Sequence, residues 1–280
     1  MSDATQVDRD LAAPYPLDDD AVRRFRDDGF VHLPGVLRPE TVAYFDPVIS
    51  AITMARDPNA GVPLERRDTY GRAFIQVCNV WRDDADARRL SCSRRLARIA
   101  TELLGTHGVR MWHDQALFKE PGGGPTPWHA DQHYWPMASG LCVTAWIPLH
   151  AVPLEQGPLA FARGSHRRKI GRDLEISDES ERRIGAELAA AGIAEEVRPY
   201  AAGDVSFHLG WTLHRAGPNA TASPRRVHTV IYMDAQMRLA EPKNANQRRD
   251  HATWTPSTRI GEVMDDPLNP LLYPDVPSQG

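Results

Sequence analysis

Cysteine is scarce: Cys78, Cys92 and Cys142 are the only three in 280 residues. They stand far apart, so they build neither a disulfide framework nor a Cys-x-x-Cys metal knuckle, and reduced thiols in or near a core are expected, as in a cytoplasmic protein. Long apolar runs are missing too; none approaches the roughly 20 residues that a membrane-spanning helix needs. Nor does one sign of charge prevail. With 33 Lys and Arg against 37 Asp and Glu the formal charge is -4, which offers no global attraction to nucleic acid or to an anionic membrane. The cluster Arg167-Arg168-Lys169 reads as a solvated face. The polar, acidic opening MSDATQVDRD is not expected to be a secretory signal, so Asn219-Ala220-Thr221 is taken as a chance match to a glycosylation acceptor. No Gly/Ser-rich or Pro-rich linker divides the chain. One domain over residues 1–280 is expected, with a core of approximately 20–235 and a C-terminal packing extension.

What is present is a series of short elements. Asp18, Asp19 and Asp20 precede a helical stretch carrying Val22 and Phe25, which Gly29 ends; acids at a helix start cap free amides and oppose the dipole. Phe30–Leu33 reads as a strand. Pro39 opens a second helix to Met54, with Val42, Phe45, Val48 and Ile52 as its apolar stripe. Residues 57–72 are expected to form a surface loop. Arg94–Leu104 has helical spacing in Leu96, Ile99 and Leu103 and stops at Gly105. From Val109 the period becomes two: 109–113 and 115–118 look extended, as do 141–149, 158–161, 204–208, 211–214 and 226–233. Residues 173–191 predict a helix that Gly185 weakens. Pro121-Gly122-Gly123-Gly124-Pro125 lacks the Lys-Ser/Thr ending of a phosphate-binding loop. Short strands parted by turns favour a mainly β barrel or sandwich with covering helices over a doubly wound parallel sheet. In the tail after Asp234, Trp254 and Leu271-Leu272-Tyr273 are anchors for packing back on the domain or near its mouth.

The chemistry concentrates in His129-Ala130-Asp131 and a distant His214. In an extended segment residues two apart point the same way, so an imidazole and a carboxylate approach a common metal from one short element. A returning strand of a closed antiparallel barrel can bring His214 from across the cavity. Two nitrogens and one oxygen on one face suit octahedral iron(II) and leave three positions open. A lone His-x-Asp pair is a weak sign. Here Trp128, His133, Tyr134, Trp135 and Pro136 surround it with apolar and aromatic surface, in which a carboxylate needs the compensation that a cation supplies. His113, His133 and His166 read as hydrogen-bonded structural residues, and Pro127 with the aromatic neighbours favours extended structure at His133.

Five stretches in order give these residues a context: Phe25-Arg26-Asp27-Asp28-Gly29-Phe30, Trp128-His129-Ala130-Asp131-Gln132-His133-Tyr134-Trp135, Gln156–His166, Ala202–Phe207 and His214–Asn219, followed by Arg225. Together they resemble the phytanoyl-CoA dioxygenase family of iron(II)- and 2-oxoglutarate-dependent oxygenases, over most of residues 20–235. The resemblance implies a double-stranded β-helix, a jelly-roll barrel of cupin-like kind. It implies Fe(II) held by His129, Asp131 and His214, with 2-oxoglutarate and dioxygen as cosubstrates. His208 competes with His214 but lacks the Ala-Gly-Pro-Asn turn that matches the family, so it is assigned to packing or to supporting the ligands. Arg225 is implied as the partner of the distal carboxylate of 2-oxoglutarate, which a rigid guanidinium fork can bind bidentately. Arg226 is its rival, and since adjacent strand residues face opposite sides, only one of the two enters the pocket. Trp146 borders that pocket or packs in the core, Gln115 adds an amide, and Lys119 is expected to face water.

The implied reaction is oxidation of a small organic metabolite, most simply C–H hydroxylation, with release of succinate and carbon dioxide. Halogenases of this broad class leave the carboxylate position vacant for halide, so Asp131 favours hydroxylation, while desaturation, cyclisation and epimerisation stay open. Phe118, Tyr134, Trp135 and Trp211, with Tyr70, are candidate substrate contacts. Arg163 and Arg215 suit a carboxylate or phosphate, or else solvent. A compact or ring-containing metabolite is favoured over a polymer. Two other readings compete: a metal-dependent barrel enzyme that does not use 2-oxoglutarate, and a non-catalytic metabolite-binding barrel.

Overall fold

Caps and glycine stops set the helix ends. In the computed structural model, which describes residues 3–274, α1 (Asp3–Ala12) precedes α2 (Asp19–Asp28). The Asp18 carboxylate accepts from the Ala21 amide at the start of α2, and Gly29, at φ 87°, turns the chain at its end. β1 (Phe30–Leu33) follows, then α3 (Pro39–Ala55) with proline in its first turn. Val42, Phe45 and Ile49 are buried along α3, and Val48 and Ile52 pack half-buried on the same core. Where a loop was expected, residues 57–72 hold a 3-10 turn and the start of α4 (Thr69–Ala73), which leads into β2 (Ile75–Cys78). Next come α5 (Ala85–Ser91) and α6 (Arg94–Leu104), the latter stopped by Gly105.

β3 (Val109–Lys119) is one continuous strand. β4 (Thr126–His129), β5 (Cys142–Pro148), β6 (Leu159–Ala162), α7 (Asp178–Ala190) and β7 (Glu195–Val197) lead to β8 (Val205–Leu209). β9 (His214–Ala216), β10 (Arg225–Asp234), α8 (Ala245–Trp254) and β11 (Leu271–Tyr273) complete the order. α7 begins later than its sequence pattern suggests, at a Ser177–Ser180 capping box, and runs through Gly185. Residues 211–213 form a turn rather than a strand. The Thr212 amide donates to the Leu209 carbonyl and its hydroxyl to the Gly29 carbonyl, so pairing resumes only at His214.

The strands form two antiparallel sheets, one ordered β1–β8–β5–β10–β3–β11 with β2 also on β3, the other β4–β9–β6–β7. This is a double-stranded β-helix, or jelly roll. The two-residue period of a strand divides the larger sheet. Val143, Ala145 and Ile147 of β5, Val205 and Phe207 of β8, and Ala116 and Phe118 of β3 share one apolar core with α2, α3, α5 and α6. Their neighbours Thr144, Trp146, His208, Gln115 and Leu117 line a cavity that β4 and β9 of the smaller sheet also wall. Among the described residues no helix is long and apolar enough to cross a membrane. Phe45 is fully buried on α3, so Phe45→Ala should cost about 3–5 kcal/mol, read as a lower urea midpoint with an unchanged slope.

Candidate metal centre and its cavity

Strand pairing joins residues that are distant in sequence. His129 ends β4 directly opposite His214, which starts β9, and the ring centroids lie 4.1 Å apart. Ala130 stays extended (φ -124°, ψ 128°) before a short 3-10 turn at Asp131–His133. The extended geometry thus persists far enough to turn residues 129 and 131 to one side, but it does not reach His133 as the sequence suggests. Asp131 Oδ1 lies 3.6 Å from Nε2 of His129 and 3.6 Å from Nε2 of His214, and one candidate ligand atom from each residue lies within 4.8 Å of the others.

Each histidine is oriented through its other nitrogen. Nδ1 of His129 donates to the Pro127 carbonyl at 2.8 Å and Nδ1 of His214 to the Thr212 carbonyl at 3.0 Å. A carbonyl can only accept, so both Nε2 atoms keep a lone pair. Burial, joined by repulsion from His129, holds the His214 imidazole well below its ordinary value. Burial opposes ionisation of Asp131; the His214, His129 and His208 imidazoles, when protonated, outweigh it and hold the carboxyl well below the usual range, a role that falls to a cation when both Nε2 atoms carry lone pairs. Its Oδ2 accepts from Thr144 Oγ1 at 3.0 Å and from His208 Nε2 at 3.1 Å. One carboxylate charge and two imidazole lone pairs are therefore gathered in a buried spot. That donor set fits a divalent cation.

The triad opens on a cavity of about 530 Å³. Arg225, at the start of β10 opposite Lys119 of β3, lines it and is only 2% exposed. Its guanidinium lies 5.4 Å from the Trp146 ring, Nη1 donates to the Gly157 carbonyl, and buried Nε has no partner among the described residues. Burial pushes this group down to about 10. A buried guanidinium with no carboxylate partner among the described residues is a receptor for an anion. Gly157 is required where it stands: φ is +67°, and a Cβ there would meet the Gly217 carbonyl oxygen at 2.2 Å. Asn219 pins the turn before Arg225 by donating to the carbonyls of Lys119, Glu120 and Ser223. Its amide is buried, unlike that of a glycosylation acceptor. Arg226 faces the other way and donates from Nε and Nη2 to both carboxylate oxygens of Asp46 on α3, at 2.7 and 2.8 Å.

Gln115, Trp146, Tyr70, Tyr134 and Trp135 line the same cavity. Four other candidates do not. Phe118 falls on the opposite face of β3 from Gln115 and is buried in the helix-packed core. Arg163 is ion-paired with Asp28 and Glu196. Trp211, in the turn before His214, lies under the Arg172 guanidinium at 4.4 Å. Arg215 projects from the outer side of β9 to Glu181 and Glu195, over the Trp128 ring. Lys119, expected in water, is buried. Its Nζ donates to the Gly124 carbonyl and lies 3.4 Å from Thr126 Oγ1, and burial together with Arg225 pushes the ammonium down to about 6. Its shared parity with Gln115 on β3 is the signal that could have found it. Sequence reasoning also missed α8, which turns Asn246, Arg249, Asp250 and Trp254 to the cavity. Their spacing is helical, but its residues are mostly polar, so no apolar stripe announces the face.

The family model described as Phytanoyl-CoA dioxygenase (PhyH) matches residues 25–227. The chain is 29% identical over 238 residues to the ectoine dioxygenase of Stutzerimonas stutzeri (strain A1501), covering 78% of this chain and 77% of that protein. It is 27% identical over 147 residues to a probable alpha-ketoglutarate-dependent hypophosphite dioxygenase of Stutzerimonas stutzeri; this match spans 51% of this chain and 51%, about half, of the relative. Among solved structures, the epimerase SnoN in complex with Fe3+, alpha ketoglutarate (2-oxoglutarate) and nogalamycin RO superposes with a TM-score of 0.74 at 28% identity, over 91% of this chain and 98% of that one. The division between the two arginines has a simple check. Arg226→Ala frees Asp46 and should lower stability by about 1 kcal/mol, seen in urea denaturation, with the far-UV spectrum unchanged.

Proposed function

Because the chain belongs to the phytanoyl-CoA dioxygenase family, we propose that it is an iron(II)- and 2-oxoglutarate-dependent oxygenase that hydroxylates a C–H bond of a small organic metabolite. The observation that carries this reading is the meeting, in one cavity, of a His-Asp-His donor set with the buried, carboxylate-free Arg225. His129 Nε2, Asp131 Oδ1 and His214 Nε2 hold the iron. Thr144 and His208 fix the remaining carboxylate oxygen, and the Pro127 and Thr212 carbonyls fix the two imidazoles. Arg225 binds the distal carboxylate of 2-oxoglutarate, with Trp146 bordering the carbon chain and Gln115 offering its amide from β3. With dioxygen, iron and 2-oxoglutarate supply the oxidising power: one oxygen atom enters the substrate, the other enters succinate, and carbon dioxide leaves.

The protein's own part is positioning and exclusion. Gly157 and Asn219 keep Arg225 in place, so the cosubstrate meets a preformed site. Trp135 and Tyr134 add aromatic wall to the cavity that holds the triad. An alternative product, an epimer, is suggested by the likeness to SnoN; product mass separates the two, since only hydroxylation adds an oxygen atom. The three dispersed thiols fit a cytoplasmic setting.

Anaerobic titration tests the reading. Iron(II) and 2-oxoglutarate added together should raise a weak visible charge-transfer band that neither gives alone; a folded, reduced protein without that band would end the proposal. Asp131→Ala should abolish substrate-dependent succinate formation while circular dichroism shows a retained fold. Arg225→Ala should raise the 2-oxoglutarate requirement on the order of 100-fold, through loss of a charge-assisted fork. Arg226→Ala should leave that requirement unchanged.

A further inference from the structure

The cavity has a second pole that neither the triad nor Arg225 uses. Along the cavity face of β3, His113 stands six residues from Lys119, the register partner of Arg225, a span of about 20 Å. Around His113 the wall is completed by α8, whose Asp250 and Trp254 lie one helical turn apart. Asp250 is 6% exposed. Its carboxylate is ion-paired with Arg249, whose Nε stands 3.7 Å away on a side chain 67% exposed, and Trp254 follows one turn on. That pair reaches into solvent, which screens it and leaves the buried charge only partly compensated. Burial accordingly pushes the Asp250 carboxyl up to about 7.

His113 adds a second acceptor. It is 5% exposed, with its ring 5.1 Å from that of Trp254. Nδ1 donates to the Asp114 carbonyl, so Nε2 presents a lone pair, and among the described residues that atom has no hydrogen-bond partner. Burial pushes this imidazole down to about 4, which leaves it neutral near pH 7. Donors close by are already used: the Tyr70 hydroxyl donates to Gln76 Oε1, and the Gln76 amide to Gln115. The rings of Tyr134, Trp135 and Trp254 line the same cavity.

We propose that this pole seats a protonated nitrogen, so that the substrate is an aliphatic or alicyclic amine whose ammonium donates to Asp250 and His113 beside the aromatic rings. The proposal rests on the oxygenase reading and names its substrate class. It also explains how two small molecules sort within one cavity. An organic anion is drawn to Arg225 and disfavoured by Asp250, and an ammonium the reverse.

A matched series of probes tests it: alicyclic and aralkyl amines, each with its N-acetyl derivative and the alcohol in which hydroxyl replaces the amine. Binding is read from the change each causes in the iron–2-oxoglutarate band, and from the melting shift of the protein without iron. Amines should bind on the order of 10- to 100-fold more tightly than both counterparts, and Asp250→Asn should remove the preference. The proposal fails if no amine binds, if alcohols or acetamides bind equally well, or if the preference survives Asp250→Asn. Should that variant not fold, the series on the unaltered protein decides alone. A wild-type band that forms normally with no amine preference rejects the substrate class and leaves the oxygenase reading standing; a missing band rejects the latter.

Discussion

Asp131 places an ionised carboxylate inside the protein, and much of the structure answers that charge. One oxygen is tied by Thr144 and His208. The other lies beside two imidazole nitrogens whose protons have been drawn to the far side of each ring by backbone carbonyls. Such a group stays buried at an acceptable energy only when a cation joins it. The pairing of β4 with β9 matters because it sets both imidazoles around the same oxygen, and the larger sheet matters because β5 and β8 deliver Thr144 and His208 to the other.

Two other strands of the larger sheet, β3 and β10, carry a second polar set on the face turned to the helices, and its fate is different. Ser91 of α5 donates to Asp114 at 2.6 Å and lies 2.8 Å from His228 Nε2, a trio that in composition resembles a hydrolytic triad. All three are fully buried between the sheet and α5. With no solvent or substrate access it can only brace the helix layer, and burial pushes the Asp114 carboxyl up to about 7. Parity along β3 and β10 alone separates a chemical site from a packing motif.

Parts of this were legible in the sequence because their signals are local. Asp18, Gly29, Pro39 and Gly105 mark helix ends within a few residues of themselves, and the structure places the ends there. The spacing of His129 and Asp131 is equally local. His214 and Arg225 are not: their roles depend on which strands pair, and it was likeness to a family that singled them out. Alternation requires Arg225 and Arg226 to diverge but does not say which way, since that needs the register with β3 and the contact with Asp46. Lys119 was misjudged because its burial comes from the turn at Gly124 folding over it. Trp211 lies away from the cavity because β9 begins only at His214, and Arg215 because alternation beside the inward His214 turns it outward.

The helix α8 stands at residues 245–254, beyond the residues 25–227 that the family model matches. The donor set and one wall of the cavity are thus written in separate stretches of the chain. A change on α8 can therefore reshape the far wall of the cavity while leaving the His-Asp-His donor set untouched.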